Sequence, residues 1–492
     1  MQLSTLFSLL MPILVTGCAL QSSYAPPPLQ APASWSTSGT FPDDMTRGDA
    51  VATTETWWTT LKDPAIDALI PKALSESPTL AQAVARIDEA RAMVGTTSAQ
   101  RLPAISLEAG GGRDRGLGSG GSATEISRSA NAGLRVGWEV DLFGRISQSV
   151  DAANSRLDAR TADARSARLA LTAQIVHGVA GLRSCKFSTQ VQMEDIASRE
   201  KVLDLVRQRL AAGAVPRVEE ARAAGSLASA RTRFISQREQ CEKQTNALTR
   251  LTGMNRDGIS GLLAASPSVT PRMLGTEIFM PQAPLLAIGL PADVLAAHPD
   301  IVAADREAAA AWAEIGVARA NRMPRIDLAG LLSRNWLSAA GTSMTYSTWS
   351  LAASLTAPLF DGGLGVAQVD ASIARYRGAE AGLRDAVLLA ARDVEDALAG
   401  SASAQQRATT SRDSLDAAVV TLTAVQAQWE AGAVSLFELE DARRQMVAAE
   451  DAVITASRDG VQAWVAIIQA SGNTALVSKT TSEINASALS HE

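Results

Sequence analysis

The feature that most constrains this chain is a repeat. The stretch from His298 to Leu328, HPDIVAADREAAAAWAEIGVARANRMPRIDL, has a degenerate copy at Ser77 to Leu107. Pro299 answers Pro78, Ile301 answers Leu80, Gly316 answers Gly95, Pro324 answers Pro103 and Leu328 answers Leu107, all at an offset of 221 residues. A duplicated chain folds as two versions of one unit, so whatever one half builds the other half builds again. Each copy reads as an Ala-rich helix ended by a proline and followed by alternating polarity, Ile105, Leu107, Ala109 in the first and Ile326, Leu328, Gly330 in the second. A helical period thus hands over to a strand period.

The strands pair within each half. Residues 103 to 114 and 129 to 142 read as one pair around a Gly/Ser-rich loop, and residues 324 to 337 and 346 to 360 as its counterpart. Leu134, Val136, Trp138, Val140 and Leu142 alternate with Arg135, Gly137, Glu139 and Asp141. In the last strand Trp349, Leu351, Ala353, Leu355, Ala357 and Leu359 alternate with Ser350, Ala352, Ser354 and Thr356. One face suits lipid and the other water, although a soluble β-sandwich also alternates.

Long helices follow each pair. Gly144 to Ala211 and Gly362 to Glu430 contain no proline. In the second, Val366, Val369, Ile373, Tyr376, Glu380, Leu383, Val387, Ala390, Val394 and Ala397 step by three and four, a heptad seam with one polar member. The partner helices begin past two matching turns, AAGAV at Gly213 and Val215 and AGAV at Gly432 and Val434, and are expected at 217–252 and 435–471. Each turn closes an antiparallel helical hairpin. The helix before each strand pair and the one after each turn nearly add up to the long helix between them, as in a tube whose short helices stack end to end.

Cys185 and Cys241 each lie 28 residues from Gly213, on opposite sides. Antiparallel helices bring them level, so they are expected to form a disulfide in an exported chain, the alternative being two separate buried thiols. Export is indicated by the first 17 residues, an apolar run of signal-peptide length, before a Leu14-Val15-Thr16-Gly17-Cys18 ending that resembles the lipobox of bacterial lipoproteins. Cys18 is the expected acylation site. Residues 18–56 are rich in Pro, Ser, Thr and Ala and read as a tether; 57–254 form the first repeat, 255–297 a linker, 298–472 the second repeat, and 473–492 a tail expected to be disordered.

Composition narrows the functional classes. Aromatic residues make up 4 % of the 492 and the net charge is −6, which favours long Ala-rich helices and gives no basic surface for nucleic acid. No later segment offers eighteen consecutive apolar residues, so a membrane crossing must be by strands. His177, His298 and His491 lack metal-ligand spacing. Neither a metal nor another cofactor is expected, and an enzyme is disfavoured.

Several long motifs occur in one order: WWTTLKDPAIDALIPKAL, SPTLAQAVARIDEARA with RLPAISL, WEVDLFGR, LPADVLAAHPDIVAAD with IGVARANRMPRIDL, APLFDGG, and the two hairpin turns. Together they resemble the outer membrane efflux proteins of the TolC and OprM type, in the lipoprotein (NodT) branch that serves resistance-nodulation-division pumps. His298 departs from the arginine usual there. The resemblance covers nearly the whole mature chain. It implies a mixed α and β, internally duplicated chain in a homotrimer, whose four strands per chain close a twelve-stranded barrel in outer-membrane lipid. A periplasmic α-helical barrel of coiled-coil hairpins, with an equatorial mixed domain, would continue it. It also implies a periplasmic membrane-fusion adaptor meeting the tip turns at Gly213, Val215, Gly432 and Val434, and an inner-membrane pump behind it. Phe437 and Asp441, four apart on one helix face, match the family's apolar and acidic rings at the periplasmic mouth. Three Asp441 carboxylates would favour cations, the alternative being an exposed carboxylate paired with Arg443 or Arg444. The alternatives are a protein-secretion duct of type I, which shares the fold, and a non-channel coiled-coil periplasmic lipoprotein, which needs one hairpin and no lipid-facing strands.

Overall fold

The computed structural model describes residues 23–28, 32–36, 50–52, 56–117, 124–265, 280–281, 286–287, 291–339, 342–473 and 476–478. In chain order the elements are β1 (Ala50–Ala52), a 3-10 turn at Trp57–Leu61, α1 (Pro64–Glu76), α2 (Pro78–Ala99), β2 (Ala104–Leu117), β3 (Thr124–Val140), α3 (Arg145–Ala211), α4 (Arg217–Thr252), α5 (Arg256–Ala265), β4 (Leu286–Ala287), α6 (Pro291–Ala297), α7 (Pro299–Ala320), β5 (Arg325–Ala339), β6 (Thr342–Thr356), α8 (Leu364–Glu430), α9 (Leu436–Ala470) and β7 (Leu476–Ser478). The duplication is visible in matching lengths: α2 and α7 have 22 residues each, α3 and α8 67 each, α4 and α9 36 and 35.

The chain divides into two compact units, the first drawn from 1–28, 84–162 and 302–385, the second from 29–83, 163–301 and 386–492. The first unit holds a four-stranded antiparallel sheet in the order β2-β3-β5-β6. Its register puts like with like. Leu107, Leu134, Leu332 and Trp349 form one row across all four strands, and Ile105, Val136, Gly330 and Leu351 another. The next row back carries Ser106, Arg135, Leu331 and Ser350 on the opposite face. Leu107, Trp349, Leu351 and Leu355 are 75 %, 79 %, 80 % and 69 % exposed, so among the described residues nothing covers the apolar face. The strands reach further towards the connecting loops than expected and stop sooner at the helical end: Leu142 lies past β3, and Ala357 and Leu359 lie past β6, where Pro358 offers no ladder N–H.

Helix starts below the sheet repeat the same device. The Asp141 carboxylate accepts from the amides of Ile146 (2.9 Å) and Ser147 (2.8 Å), and Asp361 accepts from those of Gly363 (2.9 Å) and Gly365 (2.7 Å). The motifs WEVDLFGR and APLFDGG therefore carry the cap of each long helix. The copies differ in burial. Helix α7 buries Ala308, Ala309, Ala310, Ala313 and Ile315, whereas α2 buries no residue at all. A Cβ on Gly316 would meet the Gln148 side chain at 2.8 Å, while Gly95, its repeat partner, faces open space.

In the second unit, Asp63 caps α1 through the amides of Ala65 and Ile66 and also takes a 2.8 Å bond from Arg183, both side chains being buried. Trp57 stacks near Trp464, with ring centroids 5.7 Å apart. Strand β7 pairs with both β1 and β4, so residues 476–478 of the tail, expected to be disordered, are a strand. Of the tether, Tyr24 donates to Asp305 (2.9 Å) in the first unit, and Ser36 donates to Glu395 (2.8 and 3.0 Å) in the second. The expected heptad seam of α8 is buried at Val369, Leu383, Val387, Ala390, Val394 and Ala397, and its polar member Glu380 is held by Arg384 at 2.7 Å. Val366 lies outside it, 48 % exposed. Cys185 and Cys241 are bonded, with Cα atoms 5.6 Å apart, and so staple α3 to α4.

Candidate functional site

The two hairpin turns are built alike. After α3, the Ala214 amide reaches back to the Arg209 carbonyl (2.8 Å) and Gly213 to Leu210 (2.9 Å); after α8, Ala433 reaches Gln428 (2.8 Å) and Gly432 reaches Trp429 (3.0 Å). This double bond pattern needs a left-handed residue, and glycine supplies it at φ +72° and +77°. Val215 and Val434 then fold onto one apolar cluster of Val202, Leu203, Val206, Leu227, Trp429, Leu436 and Leu439. The Arg209 guanidinium covers the Trp429 ring at 4.7 Å.

Beyond the second turn, Ser435 caps α9 by accepting from the Glu438 amide. Phe437 stands in the first turn, 62 % exposed, and Asp441 follows one turn later on the same face. Asp441 is half-exposed and accepts from Arg444 (2.8 Å) and Gln445 (2.7 Å). The predicted tip residues thus share one end of the second unit. Cys185 and Cys241 lie elsewhere on α3 and α4, and Cys18 lies outside the described residues.

One cluster escaped the sequence reading. Arg199 is buried and donates through Nε to both Asp195 oxygens (2.9 Å each), and through Nη1 to Ser226 and Glu440. Arg443, also buried, sits 3.8 Å from Glu440; burial pulls its pKa down, and Glu440 partly restores it. Spacing alone holds part of the signal: Asp195 and Arg199 are four apart, and Glu440 and Arg443 adjoin the seam positions Leu439 and Ala442. The long-range join between α3 and α9 leaves no mark in the sequence.

A second carboxyl nearby is tuned. Burial, with the Glu194 and Asp195 carboxylates beside it, pushes Glu450 up to about 7. A carboxyl raised in the fold stabilises it fully below its ordinary value of 4.5, and that contribution is lost as pH rises through about 7. The melting temperature of the parent is therefore expected to fall more between pH 5 and pH 8 than that of Glu450→Gln. An equal fall in both proteins contradicts this assignment.

Among the described residues no group of three or more His, Cys, Asp or Glu is placed to hold a metal ion, and no helix is long and apolar enough to cross a membrane. Comparison with known proteins bears on the whole length. The family model described as outer membrane efflux protein matches residues 69–254 and 290–473, one match per repeat. Outer membrane protein OprJ of Pseudomonas aeruginosa is 29 % identical over 469 residues, covering 94 % of this chain and 95 % of that protein. The probable outer membrane lipoprotein SilC of Salmonella typhimurium is 26 % identical over 458 residues, covering 92 % and 94 %. Among solved structures, the outer-membrane channel OprN superposes with a TM-score of 0.80 at 26 % identity, covering 93 % of this chain and 99 % of that one. A duplicated chain with two capped helical hairpins, one exposed apolar sheet and this match across both halves belongs to the outer membrane efflux protein family.

Proposed function

We propose that three copies of this chain form the outer-membrane exit duct of a tripartite efflux system. The observation that carries the reading is the sheet. Among the described residues it has one apolar face without cover and two unpaired edges, at β2 and β6. Open edges are not tolerated in lipid, and four strands are too few to close a barrel. Joining β6 of one copy to β2 of the next closes twelve strands and removes every edge. Trp138 and Trp336 occupy the apolar face eight rows apart along β5, a span of roughly 26 Å at ~3.3 Å per residue. That spacing suits two aromatic girdles flanking a lipid band.

Helix α2 and Gly95 support the same reading, since the copy of α7 that buries nothing is the one a neighbouring chain would cover. Acylation of Cys18 would anchor the tether, in keeping with the lipoprotein relative SilC. The duct moves its cargo passively, so its partners are a periplasmic adaptor at the tip turns around Gly213, Val215, Gly432 and Val434 and an inner-membrane pump. A coiled-coil scaffold without a pore would have no use for the apolar sheet.

At the tip, three Phe437 rings and three Asp441 side chains narrow the mouth. Phe437→Ala combined with Asp441→Ala is expected to raise single-channel conductance in planar bilayers. Unchanged conductance overturns the constriction.

A further inference from the structure

Beside the first turn of α9 lies a cleft of about 380 Å³. Arg199, Arg222, Arg233 and Arg444 line it, with Leu436 and Phe437 as an apolar wall. Glu440 is its lining carboxylate, and that group is already engaged by Arg199 and Ser226. Arg222 and Arg233 are 60 % and 47 % exposed, and their nearest carboxylates, on Glu219 and Asp195, stand 3.7 and 3.8 Å away. Those separations exceed hydrogen-bond length, and although Arg233 Nη1 donates to Ser229 at 3.1 Å, the other guanidinium N–H groups are left for another acceptor. Arg199 adds buried positive charge behind them: its side chain is 2 % exposed and its Nη2, sealed from solvent, has no hydrogen-bond partner. The positive end of the α9 dipole points to the same place.

We propose that this cleft binds amphiphilic organic anions, the carboxylate or sulfonate against Arg222 and Arg233 and the apolar body on Leu436 and Phe437. The inference rests on the duct reading and specifies its cargo. The site is separate from the acidic ring expected at Asp441, whose carboxylate accepts from Arg444 and Gln445, whereas Arg222 and Arg233 keep free donors. Planar arginine forks suit such oxyanions, and the adjoining phenyl ring suits an aromatic body.

The test is block of the channel current in planar bilayers by naphthalene-1-sulfonate, compared with the cation 1-naphthylmethylammonium. Half-block by the sulfonate is expected at a roughly tenfold lower concentration, the weight of one charge-assisted contact. Arg222→Gln with Arg233→Gln raises that concentration roughly tenfold, and Arg222→Gln alone raises it in part. Arg231→Gln, on the same helix but paired with Glu200 at 2.7 Å, leaves it unchanged. Equal block by the two probes, or block insensitive to both cleft variants, overturns the inference while the duct reading stands. If no channel current is found at all, the duct reading fails and takes the inference with it.

Discussion

Arg199→Met is expected to cost about 3–5 kcal/mol of stability, because it leaves Asp195 and Glu440 buried without their shared cation. The side chains of both carboxylates are under one-tenth exposed. Arg233 and Arg443 remain 3.8 Å from Asp195 and Glu440, respectively, too far to replace the lost hydrogen bonds and close enough to keep the loss near the lower end. Removing all the charges at once behaves differently. The quadruple variant Arg199→Met, Asp195→Leu, Glu440→Leu and Arg443→Met should recover most of the loss, since an apolar replacement of a buried ionic cluster is often neutral or stabilising. Thermal unfolding followed by the helical signal measures both. A single variant within about 1 kcal/mol of the parent would mean that water reaches the cluster and that its burial is misassigned.

The second large effect lies in the sheet and turns on its period of two. Trp349→Arg, in the row of Leu332 midway between Trp138 and Trp336, puts a guanidinium on the apolar face at a cost of roughly 2–4 kcal/mol per chain near the middle of a bilayer. A trimer carries that cost three times over. Ser350→Arg, one residue away, points to the polar face and should be tolerated. Trimer recovered from membranes, read on an unheated gel, should be lost in the first variant and retained in the second. Equal recovery of the two would contradict a lipid-facing row of Trp349, Leu351 and Leu355.

Much of this architecture is legible in the sequence because its parts are periodic. The offset between Pro78 and Pro299 exposes the duplication, the two-residue alternation around Trp138 and Trp349 exposes the strand faces, and the three-four steps from Val369 to Ala397 expose the seam. The turns at Gly213 and Gly432 are legible because a left-handed residue at a helix end has few alternatives to glycine. What escaped is what periodicity does not encode. The strand limits moved because backbone pairing continues into the loops, as at Leu117 opposite Thr124, and stops before Pro358. The strand at 476–478 depends on partners from β1 and β4, far away in the chain. Arg199 and Glu440 look like ordinary surface charges until α3 and α9 are brought together. The pairing of Asp441 with Arg444, three residues on along the same helix, is by contrast legible in the spacing.

Single-channel recording of the full-length protein, reconstituted into planar lipid bilayers, tests the central claim most directly. Three copies closing a twelve-stranded wall around a continuous lumen should give discrete current steps from material that runs as a trimer. A protein that enters the bilayer as a monomer, or that stays silent as a trimer, would contradict the account.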